Sequence, residues 1–257
     1  MKIGVFDSGI GGVTVLKELI TRFPKEDFFY FGDNANLPYG TKSPEQIKNL
    51  AISAANYISG QHVDALVIAC NTASCIAIEE IRRVMGDKTP VFSVVDAGVE
   101  SVVLNFKKLN SPTAPILILG TRATVRSHSY RDLIRASLGD QAQVIEQECP
   151  LLVPMIEESW IDHSILHQTV HEYLKDHAHL KAGVALLACT HYPWIKSAFE
   201  KLLPTWQVFD SAVAMGEALT KHFPHQKPSN LPAQVHWQFS DPESVPAFVF
   251  SDELKRT

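Results

Sequence analysis

The sequence predicts an α/β protein made of two pseudo-symmetric, doubly wound lobes. Each lobe is expected to be a mostly parallel sheet flanked by helices, with a functional site in the cleft between the lobes. Short β-rich apolar runs alternate with segments of helical period, as in strand–helix–strand units. The runs are almost continuously apolar, which is typical of strands covered on both faces. A weak internal repeat also relates the two halves of the chain.

The apolar runs predict eight strands, at residues 2–6, 28–32, 63–69, 91–94, 115–119, 143–146, 184–188 and 206–209. Two intervening segments have apolar residues on one helical face: Val13, Leu16, Leu19, Ile20 and Phe23 in the first, and Ile47, Leu50, Ala51, Ala54 and Ile58 in the second. The second helix has a clear start, because Ser43 is placed to cap it, Pro44 suits its first position and Gln46 completes a capping box. The loop 33–42 is therefore fixed just ahead of a helix.

The internal repeat divides the chain. Residues 65–72 (ALVIACNT) resemble 185–191 (ALLACTH), and residues 3–8 (IGVFDS) resemble 116–121 (ILILGT) in pattern. The offsets are 119 positions for the two cysteines and about 113 for the earlier strands, which suggests two related lobes. We expect a first lobe at 1–96, rejoined by 208–257, and a second at 97–207. The proline-containing tail after Pro228 is expected to be extended, to have little regular structure and to lie back on the first lobe.

Composition excludes several classes of protein. The 257 residues carry 23 basic and 28 acidic side chains, a net charge of −5, with no basic cluster that would follow a phosphate backbone, so nucleic acid is not an expected partner. The longest apolar runs are far shorter than the roughly 18 residues of a membrane span. The start of the chain meets Asp7 before a signal-peptide core could form. Four cysteines without C-x-x-C spacing fit free thiols in a reducing cytoplasm.

Two cysteines carry the chemical hypothesis. Cys70 and Cys189 each follow a predicted strand, where ligands of parallel sheets bind and where a helix N-terminus favours a thiolate. A single strand-end cysteine is more often a small buried apolar residue, but two at equivalent places in two lobes favour function. A thiolate on one side of a weakly acidic C–H and a thiol on the other would invert that centre. Cys75 and Cys149 are assigned to packing.

Other interpretations of these residues are weaker. Cys70 and Cys75 have the wrong spacing for a zinc site. A hydrolase built on Cys189 and His191 leaves Cys70 unexplained, and residues at i and i+2 are not expected to face each other there. The turn at 7–12 (DSGIGG) fails as a dinucleotide fingerprint because Thr14 replaces the last glycine, although its N–H groups suit an anion.

Several further side chains have both a structural and a functional interpretation. Asp7 is either a helix cap or a partner of the thiol or of a substrate ammonium. Thr121 and Thr124 either cap a helix or bind a carboxylate. Glu157 is either solvated or partly buried near a reacting group, and His191 is either structural or a partner of Cys189.

Six segments together resemble the glutamate racemases of the cofactor-independent aspartate/glutamate racemase superfamily: 6–12 (FDSGIGG), 33–40 (DNANLPYG), 69–74 (ACNTAS), 119–124 (LGTRAT), 149–154 (CPLLVP) and 189–193 (CTHYP). They span nearly the whole chain in the family's order. The resemblance implies interconversion of L- and D-glutamate without pyridoxal phosphate or metal, supplying D-glutamate for peptidoglycan in a bacterial cytoplasm. It also implies a homodimer.

The resemblance also implies roles for individual residues. Cys70 and Cys189 would act as acid and base on opposite faces, with help from Asp7, His191 and Glu157. The substrate would be held by Asp7, Ser8, Tyr39, Gly40, Asn71, Thr72, Thr121, Thr124, Thr190 and His191. One departure is Ala188, where the family usually has glycine. A sister enzyme acting on aspartate, a hydantoin or another small dicarboxylate stays open, as does a binding protein without turnover.

Overall fold

A computed structural model of the protein describes residues 1–109, 111–177, 179–180, 182–224 and 233–246. The described strands are β1 (Lys2–Asp7), β2 (Asp27–Gly32), β3 (Ala65–Ile68), β4 (Val91–Ser93), β5 (Ile116–Gly120), β6 (Val144–Glu148), β7 (Val184–Ala188), β8 (Gln207–Asp210) and β9 (Val235–Phe239). The first eight are the predicted strands, with ends within two residues of those expected. Their mainly buried side chains agree with sheets covered on both faces.

The described α-helices are α1 (Val13–Arg22), α2 (Pro44–Ser59), α3 (Asn71–Met85), α4 (Val94–Lys108), α5 (Arg122–Ser127), α6 (Ser129–Leu138), α7 (Leu152–Glu157), α8 (Ser164–Leu174), α9 (Lys196–Leu202) and α10 (Ser211–His222). The predicted capping box is present at α2, because Ser43 and Gln46 exchange side-chain to backbone hydrogen bonds. Within the described ranges, no helix combines the length and apolar character that crossing a bilayer requires.

The two sheets have equivalent strand orders over four strands, and β9 is an additional edge strand of the first sheet. The first is β4-β3-β1-β2-β9 and the second is β8-β7-β5-β6, with every described pair parallel. In both, the earliest strand of the lobe is central and the strand that ends in cysteine lies beside it. The internal repeat in the sequence therefore reflects two copies of one topology. Helices cover both faces of each sheet, and Trp194 packs against core residues of both lobes.

The tail contains a strand that the sequence interpretation missed. β9 runs parallel to β2, from Phe28 opposite Val235 to Gly32 opposite Phe239. The expectation of little regular structure was wrong here, because apolar residues alternate with His236 and Gln238 and put one face of the strand against the first-lobe core. The expected return to the first lobe is found. The start of the tail around Pro228 lies outside the described residues.

The second sheet extends slightly beyond the predicted division of the lobes. β8 pairs with β7, so residues 208–210 lie in the second sheet and not in the returning segment. The chain re-enters the first lobe through α10, which packs against α1 and α4. Asp210 caps α10 and also binds Lys196, so the crossing point is held by polar contacts.

We expect Phe239→Ala to lower the free energy of unfolding by about 3 kcal/mol, because the ring is buried against Tyr30 and its removal leaves a cavity in the first-lobe core. Urea unfolding followed by fluorescence measures the change. His236→Ala, on the exposed face of the same strand, is the matched control and should change stability by less than about 0.5 kcal/mol. Equal effects of the two variants would contradict the packing of β9 on the core.

Candidate active site

The carboxyl ends of strands from both lobes meet at one narrow cavity. Cys70 follows β3 of the first lobe and Cys189 follows β7 of the second, and both line it. The cavity offers only about 20 Å³ to the centre of a water molecule, which is little more than one water requires. Its lining consists of Ser8, Leu37, Pro38, Tyr39, Gly40, Cys70, Asn71, Thr72, Thr121, Val153, Cys189, Thr190 and His191.

Cys70 lies in a setting that opposes ionisation. Its thiol lies 3.4 Å from the hydroxyl of Ser8, and its sulfur accepts a hydrogen bond from the N–H of Ala73 in the first turn of α3. Burial, followed by the negative charge of Asp7, raises the pKa of the Cys70 thiol to about 12. Without a compensating positive charge, Cys70 is a neutral thiol near pH 7.

Cys189 lies beside a potential cation. Its sulfur lies 3.9 Å from Nδ1 of His191, whose Nε2 binds Glu157. Burial by itself would lower the pKa of His191, but Cys189 and Glu157 raise it to about 10. The expectation that i and i+2 do not face each other was therefore wrong, because the chain turns into a short 3-10 helix at Tyr192 and brings His191 back to the sulfur. Both neighbours, Cys189 and Glu157, therefore favour the protonated, imidazolium form of His191.

Asp7 lies behind the cavity and joins the lobes. Its carboxylate accepts hydrogen bonds from the N–H of Gly9, at 3.0 Å, and from the hydroxyl of Thr190 in the other lobe, at 3.2 Å. The side chain is fully buried, and burial raises its pKa even though His191 opposes the rise. Asp7 does not cap α1, whose N-cap is Gly12. Asp7 holds the Thr190 hydroxyl, and its negative charge raises the pKa of Cys70.

Gly11 lets the two lobes come this close. A Cβ built on Gly11 would lie 2.3 Å from Oγ1 of Thr190 and 2.5 Å from Nδ1 of His191. The neighbouring Thr14, which breaks the dinucleotide fingerprint, has its hydroxyl 2.9 Å from the carbonyl oxygen of Thr190. The glycine-rich turn therefore serves to pack one lobe against the other.

Three threonine hydroxyls form a triangle across the cleft. Thr72 of the first lobe lies 2.9 Å from Thr121 and 3.1 Å from Thr124, and these two lie 3.0 Å apart. Thr121 also caps α5, which confirms the capping interpretation for this residue. Each hydroxyl can rotate to donate to a carboxylate in place of its neighbour. The hydrogen bonds of Thr72 in this triangle join the two lobes, and a bound anion could replace them.

The loop before α2 supplies the other wall. Tyr39 is buried and donates to Oδ2 of Asp33 at 2.7 Å, and burial together with this bond raises the pKa of the phenol. Gly40 approaches the second lobe so closely that a Cβ there would lie 2.5 Å from Cβ of Thr121. Asn71 donates to Ser211 and accepts from Tyr130, which orients its amide at the cavity wall.

Three predicted site residues, Asp7, Thr124 and Glu157, lie outside the lining and each bonds to a residue within it. Asp33 and Tyr130, which hold Tyr39 and Asn71, were not identified from the sequence. Asp33 and Tyr39 are six residues apart in one loop, so their pairing leaves a signal in the sequence. Tyr130 reaches Asn71 only through the tertiary fold.

The remaining cysteines lie in packed surroundings. Cys149 is fully buried in the second-lobe core, where burial raises its pKa, and Cys75 packs beside the other core cluster of that lobe. Neither lines the cavity. In the part of the chain that the structure describes, no three His, Cys, Asp or Glu side chains are grouped as metal ligands.

Comparison with known proteins agrees with this architecture. Residues 3–219 match the family described as Asp/Glu/Hydantoin racemase. A glutamate racemase of a Sulfurihydrogenibium species is 42% identical over 220 residues, covering 85% of this chain and 82% of that protein. The structure of glutamate racemase from Campylobacter jejuni has a TM-score of 0.86 at 32% identity and covers 98% of both chains. The enzyme from Francisella tularensis, in complex with D-glutamate, has a TM-score of 0.85 at 32% identity, covering 99% of this chain and 93% of that one.

We expect the His191 imidazolium to make stability depend on pH. A pKa raised from 6.5 to about 10 in the folded state means that the folded chain holds a proton which the unfolded chain releases. This stabilisation is complete below the unfolded pKa and declines as pH rises, with a slope that approaches about 1.4 kcal/mol per pH unit. Urea unfolding of the parent and of His191→Asn between about pH 6.5 and 7.5 measures it, a range that lies below the pKa of about 8.5 of an exposed thiol.

The variant should lack that decline, so the difference in stability between parent and variant should shrink as pH rises. His236→Asn, which removes an exposed histidine, is the control and should keep the parent's slope. A parent and a His191→Asn variant with parallel pH profiles would contradict the raised pKa.

Proposed function

The chain belongs to the Asp/Glu/hydantoin racemase family and is an isomerase of the glutamate racemase type, and we propose that it inverts glutamate by moving the Cα proton between Cys70 and Cys189. One observation carries the proposal: the two cysteines end equivalent strands of the two lobes and line the same cavity. A ligand held between the lobes would then have one sulfur from each lobe beside it.

In the proposed reaction, one thiolate takes the Cα proton and becomes a thiol. The C–H electron pair stays on the substrate as a carbanion that is delocalised into the α-carboxylate. The opposite thiol then gives its proton to the other face of Cα and becomes a thiolate. The configuration is inverted, no atom is gained or lost, and the two sulfurs have exchanged roles, so the same site works in reverse.

Charge around the two sulfurs supports this exchange. The imidazolium of His191, held by Glu157, stabilises negative charge on Cys189. Among the described residues no cation contributes to the environment of Cys70, and burial and Asp7 both disfavour its thiolate. The substrate's own ammonium is the positive charge that lowers the pKa of Cys70 on binding. Proton abstraction at Cys70 is therefore coupled to the presence of an amino acid.

The proposed binding groups are those that surround the cavity. Hydroxyls of Ser8, Thr72, Thr121 and Thr190 would hold the carboxylates, with Thr124 behind them. Tyr39, Gly40 and Asn71 would shape the other wall, and Asp7 and His191 would set the charge on each side. Fixed donors of this kind stabilise a developing carbanion because they need no reorganisation during reaction. The narrow cavity must widen for glutamate to enter, so we propose that the two lobes separate and close again.

The wider role is also proposed. D-Glutamate made by this reaction would supply peptidoglycan synthesis in a bacterial cytoplasm, with the chain acting as a homodimer. Restored growth of a bacterium that requires D-glutamate, after expression of this chain, would support that role. Sedimentation equilibrium of the purified protein would measure its oligomeric state.

We expect Cys70→Ser and Cys189→Ser each to lower kcat for inversion by at least about 10²-fold, because each removes one of two groups that move the proton. The rate is measured from the change in circular dichroism at about 220 nm as L- or D-glutamate is inverted. Cys75→Ser is the matched control, since its thiol lies outside the cavity, and it should keep the parent's kcat within about twofold. Near-parent racemisation by either active-site variant, with its fold intact, would refute the two-thiol scheme.

The substrate is tested with the parent protein in deuterated water. We expect glutamate to lose its Cα–H signal and to undergo optical inversion, and we expect neither change for aspartate or alanine. Only glutamate, among these three, has a second carboxylate separated from Cα by two methylene groups. Proton NMR and polarimetry follow both changes. Inversion of aspartate or of a hydantoin instead would assign the chain to a sister activity, and binding of glutamate without exchange would indicate a protein without turnover.

A further inference from the structure

A second and larger cavity lies beside the active-site cavity and shares Gly40 with it. This cavity, the antechamber, has a volume of about 340 Å³ and is lined by Lys42 and Ser43 of the first lobe and Arg122, Arg126 and Ser127 of the second, among others. It lies between the start of α2 and helix α5. Arg122 directly follows Thr121 of the hydroxyl triangle, so the antechamber opens against the residues that close the cleft.

The lining of the antechamber carries more positive than negative charge. Arg122 and Arg126 share the single carboxylate of Glu148, through Nε–Oε distances of 3.3 and 2.8 Å. Lys42 is half-buried and has no carboxylate within ion-pair distance among the residues described. Three cations therefore stand against one anion.

Neighbouring carboxylates do not cancel this excess. On α3, Glu79 binds Arg82, and Glu80 binds Lys48 on α2. Glu45, an exposed residue next to Pro44, lies outside the lining as Glu148 does, and counting both still leaves three cations against two carboxylates. The local positive charge contrasts with the whole chain, whose net charge is −5. A cationic pocket on an acidic protein raises the local concentration of anions.

We propose that the antechamber is an anion-binding entry site, in which Lys42, Arg122 and Arg126 attract the carboxylates of the amino acid before the lobes admit it past Gly40. This inference rests on the proposed function, because a glutamate carries net negative charge and is repelled by the chain as a whole. The closed active-site cavity is too narrow to take the ligand directly. A site with side chains from both lobes, and larger than the closed cavity, gives the anion a place to bind while the lobes move.

The test compares Lys42→Gln and Lys42→Gln/Arg126→Gln with the parent over 10 to about 300 mM KCl. At low salt, kcat/KM for glutamate should fall about threefold in the single variant and about tenfold in the double variant, while kcat stays within about twofold. The differences should vanish at high salt, because screening removes the attraction. Lys88→Gln removes an exposed lysine beyond the far end of α3 and should behave as the parent.

A variant that is expected to raise kcat/KM separates electrostatic attraction from structural damage. Glu148→Gln removes the only carboxylate that pairs with the two antechamber arginines among the described residues, so it should raise kcat/KM at low salt about threefold and leave it unchanged at high salt. An unchanged kcat/KM in Lys42→Gln at low salt, a loss that persists at high salt, or a loss in Glu148→Gln would overturn the proposal.

Binding of inorganic phosphate, measured by calorimetry at low salt, gives a result that does not depend on turnover. Phosphate should bind the parent, and should bind the double variant at least about tenfold more weakly. If the parent does not racemise glutamate but its phosphate affinity depends on Lys42 and Arg126, the proposed function fails and the anion site stands. If the parent racemises glutamate and phosphate affinity is the same in all variants, the function stands and the anion site is overturned.

Discussion

The proposed chemistry depends on one geometrical constraint: the carboxyl ends of strands from two separate sheets must open on the same narrow cavity. A ligand at the carboxyl edge of one parallel sheet is contacted by side chains of that sheet from one side only. Two lobes with equivalent strand orders bring Cys70 after β3 and Cys189 after β7 to that cavity. The bonds between lobes concentrate at this point, from Thr190 to Asp7 and from Thr72 to Thr121.

The equivalence of the lobes does not extend to their charges. Around Cys70, burial and the carboxylate of Asp7 both oppose a thiolate, whereas Cys189 lies against the imidazolium of His191. If the sulfurs exchange roles in every turnover, the enzyme cannot rely on a permanent thiolate at both positions. The charge that is missing at Cys70 must come with the ligand, and an amino acid carries it as its ammonium. Substrate binding and activation of the thiol then become one event.

The features predicted best from the sequence were those that depend on near neighbours along the chain. The capping box of Ser43 and Gln46 involves residues three positions apart, and the strand pattern of each lobe follows from local runs of apolar residues. β9 was missed because the prolines on either side of it in the tail outweighed an alternating pattern of only five residues, none of which is proline. Contacts made by the tertiary fold, such as Tyr130 to Asn71, leave no local signal. The candidate site residues could be proposed from the sequence because they repeat between the halves and resemble a known family, whereas Asp33 and Tyr130, which orient two of them, were not identified.

Proton transfer and ligand entry place opposite demands on the same surfaces. A dry site strengthens the electrostatic interactions of the reacting groups, and the close approach of the lobes at Gly11 and Gly40 leaves little room in the cleft. That closeness also blocks the path of a ligand with two carboxylates. The hydroxyl triangle can reconcile these demands, because its three hydroxyls can exchange their hydrogen bonds with one another for hydrogen bonds to an arriving anion. No buried hydroxyl is then left unpaired. A closed cleft and a positively charged entrance are then complementary, because the first excludes water from the reacting carbon and the second offsets the repulsion between an acidic protein and an acidic ligand.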